Sequence, residues 1–297
     1  MISRTAFALL FTFNLAPAFA SNPPDQFPAT ITGTAGHRLE FSEWDERFGG
    51  WRKLEFHGAG APFRMYFLAG APGDANGGTV TETDTDYLSP DKKIVLIERK
   101  EFGLVYPPDE APVNSEQNYC DAVSMETGCV LASESSNQCD GQWEGNRWKV
   151  RNGGIWKFDG EYRSPAKFAA RARTYAADNR RLQSTMDLLS TGVGSYMACF
   201  PPENNVAAYN DIGFYLAQGG QHATALEIYQ RLSAIAPDRV PLKLNIADSY
   251  WAVGQKGLAK RFYADYRQAM TRKGDAGRIP ARVVERLTGV EAGEHTP

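Results

Sequence analysis

The residues whose chemistry can be predicted most directly are four cysteines, Cys120, Cys129, Cys139 and Cys199. An even number of cysteines favours two disulfides if the chain is exported. A turn at 125–128 would set Ser124 opposite Cys129, which puts Cys120 about 13 Å further along the strand at about 3.3 Å per residue. Because a disulfide needs Cα atoms within roughly 7 Å, a Cys120–Cys129 bridge is excluded. We therefore expect one bridge within the β-rich half and one that reaches Cys199, with two pairings left open.

Metal and catalytic chemistry find little support in the sequence. A zinc site is the alternative for the cysteines, but no two of them have the close spacing that such sites use. No metal-ligand or relay spacing, phosphate loop or serine-nucleophile elbow is found. We therefore predict no metal, no cofactor and no enzyme. The histidines without such spacing are His37, His57, His222 and His295.

Two other classes of function stay open as alternatives. Trp143, Trp148 and Trp156 fall in one strand-rich stretch, and flat rings on an exposed sheet face could stack on sugars. A glycan- or cell-wall-binding protein of the envelope would need at least two of these rings exposed and coplanar, whereas rings in the core would have a structural role. An uncharacterised exported hydrolase is the other alternative, because catalytic groups can converge in three dimensions without being close in sequence.

The N-terminal segment 1–20 has the three-part pattern of a secretory signal. Arg4 precedes an apolar run, and Ala18-Phe19-Ala20 forms a small-x-small cleavage site. The apolar run is shorter than the about 20 residues that a membrane-spanning helix needs. We therefore predict a periplasmic or secreted protein without stable membrane insertion after cleavage.

The predicted secondary structure changes from strands to helices along the chain. Up to residue 165, short segments alternate apolar and polar residues, with turns marked by glycines such as Gly77-Gly78. This pattern predicts an antiparallel β-sandwich or open barrel. Its expected strands are His37–Trp44, Trp51–Phe56, Phe63–Leu68, Lys93–Glu98, Tyr119–Ser124, Cys129–Ala132, Trp148–Arg151 and Gly154–Phe158. From Ala166 to about Leu189 a helix-forming run follows.

A repeat of 34 residues organises the helical half. Ile212 and Ile246, Gly220 and Gly254, Ala225 and Ala259, and Tyr229 and Tyr263 are each 34 residues apart. With this period and its signature spacings, the segment 206–271 resembles two tetratricopeptide repeats, of which the first matches better. The matching positions of the first unit are Tyr209, Ile212, Gly213, Leu216, Gly220, Ala225, Tyr229 and Pro237.

The resemblance implies an α+β protein of two domains, in which the sheet domain precedes a helical array with a capping helix at each end. The predicted divisions are a signal peptide over 1–20, a β-rich domain over 21–165, a capping helix and connector over 166–205, the repeats over 206–271, and a C-terminal capping helix and tail over 272–297. Residues 21–165 hold 14 Lys and Arg against 23 Asp and Glu, whereas 166–297 hold 17 against 12. The oppositely charged halves could attract each other or leave a basic helical face for an acidic partner.

The resemblance also implies a function, because tetratricopeptide repeats bind proteins or peptides in a groove lined by the first helix of each unit. We expect a protein or peptide partner of unknown identity, and no nucleic acid. Alternatively, the large rings at the groove positions pack against the sheet domain or a capping helix. The family's groove positions fall on Asn210, Phe214 and Gln218 in the first unit, and on Leu244, Asp248 and Trp251 in the second.

Overall fold

The computed structural model describes residues 27–66, 78–105, 111, 113–160, 164–175 and 179–289. Antiparallel strands fill the first half of this part and helices the second, which confirms the predicted α+β class. The predicted signal peptide, His295 and the tail from residue 290 lie outside the described residues. Within the described residues, no helix combines the length and apolar character needed to cross a membrane.

The larger sheet is an antiparallel meander. Its strand order is β1-β2-β3-β5-β6-β7-β8, and β4 shares one edge of β3 with β5. Apart from the step from β3 to β5, each step joins strands that are adjacent in sequence, as expected for short connections. The strands are β1 (Thr30–Thr32), β2 (Arg38–Asp45), β3 (Gly50–His57), β4 (Phe63–Met65), β5 (Gly78–Glu82), β6 (Ile94–Val105), β7 (Val113–Ser124) and β8 (Val130–Ser135).

Strands β6 and β7 are apolar on both faces where they lie between two cores. Val95 and Ile97 point into the main core of the sheet, while Leu96 points to the opposite side. On that opposite side a second sheet packs, formed by β9 (Gly141–Glu144), β10 (Arg147–Val150) and β11 (Ile155–Trp156). Trp148 of β10 is 1% exposed there. The two sheets thus form a small sandwich at this point, as predicted.

The helical half contains helical hairpins with further helices on both sides. Helices α1 and α2 pack against α4, and α8 packs against α7. A buried cluster runs from α1 to α6, and a second cluster joins α6, α7 and α8. The helices are α1 (Pro165–Ala172), α2 (Asn179–Leu188), α3 (Val193–Cys199), α4 (Val206–Gln218), α5 (His222–Ile235), α6 (Val240–Ala252), α7 (Lys256–Arg272) and α8 (Ala281–Thr288).

The crossing of α4 and α5 depends on Gly213. A Cβ atom at this position would lie 2.4 Å from Cε1 of Tyr229, whose ring is completely buried. The absence of a side chain therefore lets the two helices approach closely. Gly220 then ends the turn between them with a φ of +84°, and Gly254 does the same between α6 and α7 with a φ of +80°.

Replacing Gly213 with alanine is expected to lower the free energy of unfolding by about 1 to 3 kcal/mol, because the added methyl group overpacks the buried crossing. Urea denaturation of the purified protein measures this change. Gly257→Ala in α7 is the matched control, since a Cβ atom there meets nothing within 4 Å and alanine is the better helix former. Equal stability of Gly213→Ala and the parent protein would show that α4 and α5 are free to separate.

Helix α3 joins the helical half to the sheet. Gly194 fits against Phe63 of β4, where a Cβ atom would lie 2.4 Å from the ring. The Ser195 hydroxyl accepts a hydrogen bond of 3.0 Å from the amide of Val130. The amide of Tyr66 donates to the carbonyl of Thr191 at 3.0 Å. Strands give way to helices between Trp156 and Pro165, close to the predicted division, but α3 makes the two halves share a packed interface.

Several elements differ from the sequence-based prediction. The helix expected from Ala166 to about Leu189 is two helices, since the chain turns at 173–175 after α1. Helix α3 lies within 166–205, in the part that was expected as a connector. The eight predicted strands are all present in the described residues, except that 67–68 lie outside them. Strands β1, β5 and β9 were not predicted.

Candidate functional site

The three groove positions predicted for the first 34-residue unit lie along α4. Phe214 is 42% exposed, although it stands in the middle of a packed helix. Gln218 is also exposed in part, and its Oε1 atom accepts a hydrogen bond of 3.4 Å from Arg181. Asn210 is only 5% exposed, and its Oδ1 atom accepts a hydrogen bond of 3.2 Å from the Asn245 amide of α6. We refer to Asn210, Phe214 and Gln218 as the α4 surface.

The other sides of α4 are covered by neighbouring elements. Gly213 faces α5, and Gly219 lies against Leu182 of α2. The Arg181 guanidinium lies 4.9 Å from the ring centroid of Tyr215. Arg173 forms an ion pair of 2.5 Å with Asp211. Packing on these sides buries Tyr209, Ile212, Tyr215 and Leu216.

In the second unit, α8 contacts the predicted groove positions. Asp248 forms ion pairs of 2.8 Å with Arg282 and 2.9 Å with Arg286, and it accepts a hydrogen bond of 2.6 Å from the Tyr263 hydroxyl. The hydrogen bond to Asp248 raises the pKa of Arg282 above its usual range. Asp248 therefore has internal partners that satisfy its charge.

Trp251 and Leu244 are half-buried next to the same helix. The Arg286 guanidinium lies 4.9 Å from the Trp251 ring centroid, and the Lys256 ammonium group lies 5.3 Å from it. Leu244 packs in the cluster that contains Val283 of α8. Both side chains pack against α8. This is the alternative that the sequence left open, in which groove positions pack against a capping helix. Of the six predicted groove positions, the exposed ones are Phe214 and Gln218.

The cysteines pair as the sequence predicted. Cys120 is bonded to Cys139 within the sheet half, with Cα atoms 5.5 Å apart. Cys129 is bonded to Cys199 at the end of α3, with Cα atoms 4.9 Å apart. The predictions of two disulfides and of no Cys120–Cys129 bridge are therefore confirmed. The choice between the two remaining pairings could not be made from sequence, because it depends on where the turn at 136–139 sends the chain.

The tryptophans do not meet the condition set for a sugar-stacking face. Trp148 is buried, and its Nε1 atom donates a hydrogen bond of 2.7 Å to the Gln138 carbonyl. Trp143 and Trp148 cross at an interplanar angle of 71° rather than lying coplanar. Trp143 and Trp156 are half-buried and pack in the cluster between the two sheets. The three rings form part of the core of the sheet half.

One group of potential metal ligands occurs on the surface of β2 and β3. Ligand atoms of Glu40, Glu55 and His57 lie within 4.8 Å of one another. The guanidinium of Arg38 donates a hydrogen bond of 2.5 Å to Glu40, which lowers the pKa of that carboxyl, and lies 3.4 Å from Nδ1 of His57. Lys53 pairs with Glu55 at 3.3 Å. Both carboxylates thus have a cationic side chain as a partner, and this group carries no metal prediction.

The strongest polar cluster of the described residues was not predicted. The Arg99 guanidinium, 3% exposed, binds the completely buried Asp121 at 2.7 Å and also pairs with Glu101. Arg99 donates a further hydrogen bond of 3.1 Å to Ser133, and its guanidinium carbon lies 4.1 Å from the Tyr119 ring centroid. Burial and the nearby Asp121 raise the pKa of Glu101, although Arg99 opposes them. Because these groups satisfy one another, the geometry supports a structural role.

No known family model matches the chain. A search of curated proteins found none with significant similarity. The resemblance to tetratricopeptide repeats therefore depends on the residues and spacings given above.

Proposed function

We propose that this protein is an exported protein-protein interaction module that binds an extended segment of a partner at the α4 surface. The observation that carries the proposal is the exposure of Phe214 in the middle of α4, a helix whose other sides are covered by α1, α2, α5 and α6. Large exposed rings next to polar groups are typical of the residues that dominate the energy of protein interfaces.

The neighbouring groups suit a peptide backbone. Gln218 has an amide that can both donate and accept hydrogen bonds, and a single 3.4 Å contact with Arg181 leaves part of that capacity for a ligand. On the other side of Phe214, one helical turn away, Asn210 forms a bonded amide pair with Asn245. We expect the Phe214 ring to bind an apolar side chain of the partner while the exposed Gln218 amide holds the partner's main chain.

Export is supported by two features. The N-terminal segment 1–20 has the pattern of a secretory signal. All four cysteines are paired in disulfides, which persist in oxidising compartments such as the periplasm or the extracellular space. These two features support a mature protein that lies in the periplasm or outside the cell.

Replacing Phe214 with alanine is expected to weaken peptide binding by about 1 to 3 kcal/mol, or roughly 5- to 150-fold in Kd, because the ring supplies the apolar contact. Peptides selected from a displayed random library against the parent protein provide the probe. Their affinities for both proteins are then measured by fluorescence polarisation. Val113→Ala is the matched control, since Val113 is 49% exposed but lies in the sheet half.

Urea denaturation should give the same stability for Phe214→Ala as for the parent protein, since the ring is exposed. If the selected peptides bind Phe214→Ala as tightly as the parent protein, the binding surface lies elsewhere. If no peptide is selected and Phe214→Ala is destabilised, the ring is structural and the proposed function is wrong.

A further inference from the structure

Helix α7 and the residue after it carry cations that have no acidic partner among the described residues. Six cationic residues lie in 256–273, and Asp265 is the one acidic residue among them. All six are exposed, and none forms an ion pair within the described chain. Lys256 contacts the Trp251 ring, as described above. The six residues are Lys256, Lys260, Arg261, Arg267, Arg272 and Lys273.

The cations of the sheet half differ from those of α7 in having acidic partners. Most of its described lysines and arginines form ion pairs with a carboxylate, usually from the same or an adjacent strand. The lack of acidic partners on α7 is therefore not a general property of the protein's surface. The paired cations of the sheet half are Arg38, Arg52, Lys53, Lys93, Arg99, Lys100, Lys149 and Arg151.

The cations of α7 form two rows along one side of the helix. Lys256, Lys260 and Arg267 are separated by steps of four and seven residues, which places them on one line. Arg261 and Arg272 form a second line. The exposed residues between the two lines are small or uncharged, namely Gly257, Gln268 and Thr271. With 17 residues and about 1.5 Å per residue, the helix presents a positive strip about 25 Å long.

We propose that this strip, the α7 basic face, binds the anionic headgroup surface of a phospholipid bilayer, so that the exported protein associates peripherally with a membrane. Each lysine or arginine near an anionic leaflet adds to the attraction, which falls off within a Debye length. The apolar side of α7 is not available for insertion, because Ala259, Tyr263 and Tyr266 are buried against α6 and α8. The association is electrostatic and reversible.

The composition of the α7 basic face favours a bilayer over an acidic protein. Protein interfaces depend on a few apolar or aromatic anchors that enter pockets. The large exposed hydrophobic residues of the described chain are Val113, Ile155, Phe214, Val253 and Val284, and none of them belongs to α7. Flexible cations on a straight helix suit a surface whose negative charge is spread evenly, and an anionic bilayer is such a surface.

Co-sedimentation with vesicles tests the proposal. The mature protein is expected to bind vesicles of phosphatidylglycerol and phosphatidylcholine at low ionic strength and not to bind phosphatidylcholine alone. Binding should disappear in about 1 M NaCl, where the Debye length is about 3 Å. The variant K260Q/R261Q/R267Q/R272Q should bind the anionic vesicles at least about 100-fold more weakly.

The matched control is K92Q/R147Q/K149Q/R151Q, which removes four exposed cations from the sheet half and should retain binding. Circular dichroism and the Tm of the α7 variant should equal those of the parent protein. Failure of the parent protein to bind anionic vesicles, or equal loss in both variants, would overturn the proposal. Self-association that the α7 variant abolishes, without vesicle binding, would overturn it in favour of the acidic sheet half of a second copy. Peptide binding at the α4 surface is measured separately, so the proposed function can fail or hold independently.

Discussion

Removal of the Cys129–Cys199 bridge by the double substitution Cys129→Ala and Cys199→Ala is expected to lower the free energy of unfolding by about 4 kcal/mol. The bridge closes a loop of 70 residues, and a longer loop removes more conformational freedom from the unfolded chain. It also ties the end of α3 to the start of β8, where Ser195 binds Val130. Urea denaturation with matched spectroscopic probes of strand and helix content measures the effect.

The corresponding control is the double substitution Cys120→Ala and Cys139→Ala, which opens a loop of 19 residues. The same relation predicts a loss of about 3 kcal/mol for this bridge. The Cys129–Cys199 variant should therefore be the less stable of the two by about 1 kcal/mol. If it is the more stable one, the contacts of α3 hold the two halves together without the bridge.

Asp121→Ala is expected to lower the free energy of unfolding by about 3 to 5 kcal/mol. The substitution leaves the buried Arg99 guanidinium without the fully buried carboxylate that it binds. Asp121 is completely buried, and Glu101 and Ser133 are the side-chain hydrogen-bond partners that then remain for a charge that water cannot reach. Thermal and urea denaturation of the oxidised protein provide the measurement, with the disulfides kept intact.

Asp140→Ala provides the comparison for this substitution, since Asp140 pairs with Arg151 at 2.8 Å on the surface. An exposed pair contributes between 0 and about 1 kcal/mol. The prediction fails if Asp121→Ala is no more destabilising than Asp140→Ala. A second variant, Arg99→Met with Asp121→Leu, should recover part of the lost stability, because it removes both buried charges together.

The sequence predicted those elements that have a clear period or strong turn signals. The repeat spacing located α4 to α7 closely, and the alternation of apolar and polar residues located eight strands. Strand β5 was missed because Val80 is the one strongly apolar residue among its five, which leaves no run of alternating residues to recognise, and because Gly78 was interpreted as part of a turn. Helix α3 was missed because glycines such as Gly192 and Gly194 are typical of loops. In the structure, both glycines lie in close contact with β4, where there is little room for a Cβ atom.

The candidate site was only partly predictable for a different reason. Helical periodicity places Asn210, Phe214 and Gln218 on one face, but it does not show which faces other elements cover. The ion-pair partners of Asp248 lie in α8, beyond the whole of α7 in the sequence. Likewise, Arg99 and Asp121 meet only because β6 and β7 pair in one register. Such contacts depend on the tertiary structure.

The two disulfides are interleaved along the chain, since Cys129 lies between Cys120 and Cys139 while its own partner is Cys199. Oxidation of each cysteine with the next one along the chain would join Cys120 to Cys129, which is not a native pair. Native pairing therefore requires either that Cys120 remains reduced until Cys139 is available and Cys129 until Cys199 is available, or that thiol–disulfide exchange replaces the first bond formed. The order of the cysteines thus allows a non-native bond to form first, and thiol–disulfide exchange would then have to replace it before the two halves could pack together.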